Sequence, residues 1–271
     1  MKTRIIAVAN HKGGVGKTTT VANLGSILSM KGHRVLLVDL DAQANLTASL
    51  VASPEGATIY EALTGKTDRL PVIAINDRLH LVPASLTLAM ADVELSTAIA
   101  REHILAGLLT KANVENNYDY VLLDCPPSLG LVTLNAITAS TDVLIPLISE
   151  VLPFKGLTMM SDFISMVRQR LNPNAHISGI VITRWENSKL ARGIEERLRG
   201  WNGDVVYQCK IRKNVRLAEA PLQNRNILDY ASGSNGAKDY TALADEFLER
   251  TNQRKEVAVG KTTSWMPSLP D

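Results

Sequence analysis

Apolar residues along this chain gather in short unbroken runs, separated by segments of helical periodicity. Ile5 to Ala9 is the first run. It predicts a strand buried on both faces, because a strand with one wet face would alternate apolar and polar positions. Thr18 to Lys31 follows, with Val21, Leu24, Ile27 and Leu28 at helix spacing and Gly32 at its end. Arg34 to Asp39 is again continuous and closes on a carboxylate. Strand, helix and parallel strand make one βαβ unit. The runs Tyr120 to Asp124, Val143 to Leu147 and Ile177 to Thr183 repeat the theme, each followed by a helical segment. Leu86 to Leu109 reads as one longer helix, and Tyr240 to Arg250 as the last. The tail from Lys255 to Asp271 holds Gly260, Pro267 and Pro270 and shows no periodicity, which predicts a flexible end. The pattern as a whole predicts an α/β fold: a mostly parallel central sheet with helices on both faces. No repeat and no linker interrupts it, so one domain is expected over residues 1–254.

Composition narrows the picture. The chain has 271 residues, 45% of them apolar, enough to bury a full core. Aromatics at 4% suit a layered α/β protein better than an all-β sandwich. The net charge of +2 is too small to imply a polyanionic partner, so any such surface must be local. Cys125 and Cys209 are not spaced as a disulfide framework or a metal site, and the default setting is reduced and cytoplasmic. No apolar run approaches the ~20 residues that span a bilayer, and the first is too short for a signal-peptide core.

Candidate chemistry begins at Lys12-Gly13-Gly14-Val15-Gly16-Lys17-Thr18-Thr19, between the first strand and the first helix. The strict phosphate-loop pattern wants glycine at position 11, where His11 stands. The physics survives that departure. Three glycines let the backbone turn sharply and point N–H groups at phosphate oxygens. The helix N-terminus adds partial positive charge. Lys17 is placed to reach β- and γ-phosphates, and the Thr18 hydroxyl to sit on Mg²⁺. A plain glycine turn with solvated lysines is the alternative; residue types and flanking elements together argue against it. Val121-Leu122-Leu123-Asp124 is an apolar strand ending in a carboxylate that could hold Mg²⁺, often through water. Asp39 and Asp41 end the second strand, at the sheet edge where α/β folds bind ligands. Either could instead be a strand cap.

The loop Lys12 to Thr19 resembles the deviant Walker A loop of the ParA/MinD group of P-loop ATPases. Asp39-Leu40-Asp41-Ala42-Gln43 looks like that group's second motif, with Ala42 where a proline is usual. Asp124-Cys125-Pro126-Pro127-Ser128-Leu129-Gly130 is similar to the ParA form of the Walker B strand, with Cys125 expected to be a small packed residue. Ile211 to Pro221 resembles the stretch that marks the ParA branch, with Arg212 for a proline and Lys213 for an arginine. In the family this stretch lies near the adenine and the dimer seam. The resemblance spans roughly residues 5–248, and the early phosphate loop matches the short form without an N-terminal helix-turn-helix domain.

What the resemblance implies is specific. The cofactors are ATP and Mg²⁺, and the activity is slow ATP hydrolysis. Gly13, Gly14, Val15, Gly16, Lys17, Thr18 and Thr19 bind phosphates; Thr18 and Asp124 hold Mg²⁺. Lys12 reaches across a nucleotide-sandwich homodimer to the partner's phosphates, and Asp41 orients the attacking water. The dimer binds DNA non-specifically, on the nucleoid within the cytoplasm, until a ParB-like centromere-binding protein stimulates hydrolysis. Between Val181 and Tyr230 stand ten basic residues against six acidic. Within them Arg216 is the DNA contact the resemblance implies, and Lys189 or Arg192 replaces a second family arginine. Arg212 adds a charge consistent with a basic surface. A MinD-like membrane ATPase would need a basic amphipathic tail, which residues 260–271 lack; no membrane partner is expected. An electron-transfer relative would need cluster cysteines that are not present at such spacing. A ParA-like protein positioning another cargo stays open.

Overall fold

The apolar runs and three further short stretches are strands: β1 (Arg4–Val8), β2 (Val35–Asp39), β3 (Ile73–Ala74), β4 (Leu79–Val82), β5 (Tyr120–Asp124), β6 (Asp142–Ile148), β7 (Ile177–Trp185) and β8 (Val206–Arg212). They form one sheet in the order β3-β4-β2-β5-β1-β6-β7-β8. All neighbours are parallel except β3 and β4. The structure, a computed structural model, describes residues 2–52, 54–149 and 153–257. The helices are α1 (Lys17–Met30), α2 (Asn45–Leu50), α3 (Ile59–Leu63), α4 (Ala91–Leu95), α5 (Ile104–Lys111), α6 (Val114–Asn117), α7 (Leu131–Ala139), α8 (Pro153–Arg170), α9 (Lys189–Asn202), α10 (Arg216–Glu219), α11 (Ile227–Ala231) and α12 (Asn235–Val257).

The runs lack polar alternation because both faces of the sheet are covered. Ile6, Val8, Leu37, Leu122 and Val181 point into a core closed by α1 and α12. Their neighbours Ala7, Leu36, Val121, Leu123 and Ile180 point into a second core closed by α5, α7 and α8. β1 lies between β5 and β6, so the chain leaves it to one side toward β2 and later crosses it to reach β6. Strand order therefore reverses at the C-terminal end of β1, the place where open α/β sheets form a ligand crevice. α1 stops where Gly32 predicts: Gly32 N–H donates to Ser29 O (2.9 Å) and His33 N–H to Leu28 O (3.1 Å), a Schellman pair.

Three expectations change. Residues 86–109 do not form one helix. They are a 3₁₀ turn (Leu86–Met90), α4, a second 3₁₀ turn (Arg101–His103) and the start of α5, with Ala100 in the left-handed region at φ 50°. Tertiary partners explain the break. Asn135 on α7 accepts from Leu105 N–H and donates to Arg101 O, so backbone groups freed at the break are met from outside. Asp92 in turn accepts from Val132 N–H and ties the segment to the start of α7. The last helix is longer than its apolar core, because Ser234 caps it by accepting from Ala237 N–H (3.1 Å). It also runs to Val257, past the 254/255 boundary expected for a flexible end, since good helix formers continue the turn. Residues 258–271 lie outside the described residues. Strands β3, β4 and β8 extend the sheet beyond the runs singled out in the sequence.

β8 is an edge, and it is an irregular one. Between Val206 and Lys210 it carries two more residues than β7 does between Ile180 and Ile182. The Glu246 carboxylate on α12 accepts from the Gln208 and Cys209 N–H groups in this bulge (both 2.9 Å). Arg250 donates to Val206 O and Arg199 to Tyr207 O, while Asp239 accepts from Arg212 N–H. Side chains of α9 and α12 thus occupy backbone groups along the edge.

Candidate nucleotide site

The loop between β1 and α1 has the conformation that its glycines predict. Gly14 and Gly16 sit at φ 72° and 85°, where a Cβ is disfavoured. Gly16 is also the N-cap of α1, no side chain caps that helix, and no acidic residue stands in its first turn. The first-turn N–H groups are left for an incoming anion. Lys17 is buried, and its ammonium donates to Lys12 O (3.2 Å). Burial lowers its pKa, and the nearby Asp124, Cys125 and Asp41 oppose the shift.

Asp124 ends β5 in register with Asp39 of β2, next to the loop. It is 0% exposed, and neither carboxylate oxygen accepts a hydrogen bond of good geometry. Burial pushes its pKa well above the ordinary range and Asp39 adds to the rise, while the Thr18 hydroxyl and Lys17 pull the other way. A sealed carboxylate with two free acceptor oxygens beside a threonine hydroxyl fits a hard divalent cation such as Mg²⁺. Cys125 is fully buried, and burial raises its thiol far from reactivity.

Asp39 and Asp41 separate into two roles. Asp39 is buried and accepts from Thr47 N–H (2.8 Å), Thr47 Oγ1 (2.7 Å) and Asp41 N–H (3.2 Å). Burial pushes its pKa up to about 6 against those hydrogen bonds. Thr47 Oγ1 also accepts from Ala84 N–H, so Asp39 ties the end of β2 to α2 and to the segment after β4. Asp41 is partly exposed; its Oδ1 accepts only the local Gln43 N–H (3.0 Å) among the bonds described, leaving the carboxylate available to the crevice.

The segment after β8 closes the site. A cavity of about 380 Å³ is lined by Thr18 and Thr19 of α1, Ala48 of α2, and Leu217, Pro221 and Arg225. Asn23 holds the walls together, donating to Thr19 O and accepting from Ile227 N–H (both 2.8 Å). Asn224 donates to Ala48 O (2.5 Å).

The structure brings Lys17, Thr18, Asp41 and Asp124 to one crevice, with Gly13, Gly14, Val15, Gly16 and Thr19 around it; Lys12 stands exposed on the loop. The basic stretch is different. Arg216 begins α10, 54% exposed, and pairs with Glu219 (2.8 Å). Arg192 donates to Asn187 (2.5 Å), and Lys189 starts α9 exposed. Arg199 and Lys210 share Glu195, and Lys213 pairs with Glu186. Arg212, expected to add surface charge, is instead held by Asp239 through Nε and Nη2 (3.0 and 2.6 Å). Its charge is spent within the fold. Sequence reasoning passed over Asn10, Asn23, Thr47 and Thr183, each a single polar residue beside an apolar element, a signal with too many ordinary explanations.

Comparison with known proteins places this geometry. The AAA domain family matches residues 3–177. The chain is 40% identical over 248 residues to the sporulation initiation inhibitor protein Soj of Bacillus subtilis, covering 90% of this chain and 97% of Soj. It is 37% identical over 263 residues to the chromosome partitioning protein ParA of Caulobacter vibrioides, covering 94% and 97%. Among solved structures, the cobyrinic acid a,c-diamide synthase from Mycobacterium smegmatis with bound ATP analogue and magnesium superposes with a TM-score of 0.80 at 34% identity, covering 93% of this chain and 97% of that one. Identity at this level over nearly the whole length, on a fold with the phosphate loop at the switch point of the sheet, makes the chain a member of the ParA/Soj family of chromosome-partitioning ATPases.

Proposed function

We propose that this chain is an ATP-dependent switch that segregates DNA. The observation that carries the reading is Asp124, sealed from water with both oxygens free beside Lys17 and Thr18. Thr18 and Asp124 would hold Mg²⁺, which would supply positive charge against the phosphates. Gly13 to Thr19 cradle the phosphates with backbone N–H groups, and Lys17 supplies positive charge from within the loop. Lys12, exposed on the rim, supplies a second positive charge to the partner's nucleotide in a sandwich homodimer, in the manner of an arginine finger. Asp41 orients the water. The dimer binds DNA without reading its sequence, through Arg216, Lys189 and Arg192. A ParB-like centromere-binding protein completes the site, stimulates hydrolysis and releases the dimer from the nucleoid.

The test is DNA co-sedimentation with ATP, with ADP and without nucleotide, across a salt series. Binding is expected only with ATP and to weaken steeply with salt. Lys12→Ala should abolish the ATP dependence, and Arg216→Ala, which removes one contact from each protomer of the dimer, should reduce the salt slope by about two. Absence of DNA binding in every nucleotide state would overturn the DNA reading and leave the family's ATPase chemistry in place.

A further inference from the structure

Between His11 and Lys17 only Val15 is buried, so the phosphate loop has little core of its own. Its shape is held from outside. Ala9 N–H donates to Leu144 O (3.1 Å), the last backbone bond from this strand to β6. Two residues further along β6 the next acceptor on that edge is Pro146 O. The main chain has by then turned into the loop, and the Asn10 side-chain amide takes Pro146 O in its place (2.8 Å). The Asn10 Oδ1 accepts from Lys12 N–H (3.1 Å), which sets the first shoulder of the loop. The second shoulder is reached from β7. Thr183 Oγ1 donates to Val15 O (2.8 Å), with Leu147 O at 3.3 Å as a weaker share of the same hydrogen. Gly16 rests on this side chain, since a Cβ there would lie 3.8 Å from Thr183 Cβ and Cγ2. Asn10 is 7% exposed and Thr183 2%.

We infer that Asn10 and Thr183 are positioning residues that staple the two shoulders of the phosphate loop to consecutive residues of β6, Pro146 and Leu147, and so preset the loop for nucleotide. Glycines at 13, 14 and 16 make the loop costly to order. Two buried side-chain tethers remove part of that freedom before binding, which is preorganisation of a site by its supporting shell. The staple rests on the nucleotide reading above and deepens it.

Three variants of the full chain test this. Thr183→Val keeps the shape and deletes the hydroxyl; Thr183→Ser keeps the hydroxyl; Asn10→Ala cuts the other shoulder. Amide hydrogen exchange over residues 11–17 is measured without nucleotide, and the affinity for a fluorescent ATP analogue with Mg²⁺ is measured separately. Thr183→Val should accelerate exchange in the loop and weaken nucleotide binding about tenfold. Asn10→Ala should do the same, and Thr183→Ser should behave like the parent. Parental exchange and affinity in both Thr183→Val and Asn10→Ala would overturn the staple, as would a Thr183→Ser variant no better than Thr183→Val. Should Thr183→Val fail to fold, Asn10→Ala against the parent decides. A parent that binds no ATP would refute the nucleotide reading, while the exchange comparison would still decide the staple.

Discussion

Asp124 carries opposite demands in one side chain. A buried carboxyl group short of hydrogen-bond donors is unfavourable to folding, and here neither oxygen accepts a bond of good geometry, the Thr18 hydroxyl and Lys17 only partly offsetting the burial. The same two oxygens are what a cation needs. Asp124→Asn therefore should raise the stability of the nucleotide-free protein by about 1–3 kcal/mol. It should also cut Mg²⁺-dependent ATP hydrolysis about a hundredfold or more. Thermal melts with and without Mg²⁺ and ATP check both halves, the variant losing the ligand-induced shift that the parent shows. A lower melting temperature for the nucleotide-free variant would mean that Asp124 is held by the fold rather than strained by it. Asp124 and Lys17 were legible in the sequence because each belongs to a spaced motif whose neighbours also match. Thr183 was not, because a hydroxyl at the end of an apolar strand has no spacing that separates a tether from a cap.

Single elements reveal why charge counting along the chain misreads the basic stretch. Ten basic residues between Val181 and Tyr230 look like one patch, yet Arg199, Lys210, Arg212, Lys213 and Arg216 each face a carboxylate across β8, α9, α10 and α12. The partners of the first three, Glu195 and Asp239, come from helices packed against β8. Glu195 stands one helical turn before Arg199 and its pairing with that residue could be read from the spacing, but nothing in the spacing announces that Glu195 also holds Lys210 or that Asp239 holds Arg212. Arg212 stands where the family's usual proline has neither an N–H nor a charge, and here both groups go to the largely buried Asp239. Arg212→Ala is expected to destabilise the fold by about 1–3 kcal/mol, because it strips a buried carboxylate of its partner. It should leave the salt slope of DNA binding unchanged, in contrast to Arg216→Ala. Denaturant melts and co-sedimentation of the same preparation separate the two effects. The strands were readable as runs because both sheet faces are dry. The helix expected over residues 86–109 was not broken by any Gly or Pro, and Asn135, from elsewhere in the fold, shows why it breaks.

At the scale of the whole molecule the two ends of the sheet are treated differently. β3 ends it by brevity, with two residues. β8 ends it by chemistry: Glu246 alone meets two bulge amides and is itself held by Arg250 (2.7 Å). Glu246→Ala should lower stability by about 1–3 kcal/mol, a shift of roughly 2–12 °C for a domain of this size. Light scattering of the variant on warming should rise earlier than that of the parent; identical melting and scattering would show that the bulge needs no cap. In the switching cycle proposed above, copies of the chain would meet and part repeatedly at high local density on DNA. A sheet able to lengthen strand by strand would turn each such meeting into a route to a fibre. With Val206, Tyr207, Gln208, Cys209 and Arg212 of β8 already engaged by its own helices, growth of the sheet from that edge is disfavoured, and encounters through loops and helix faces, which can let go, are favoured instead.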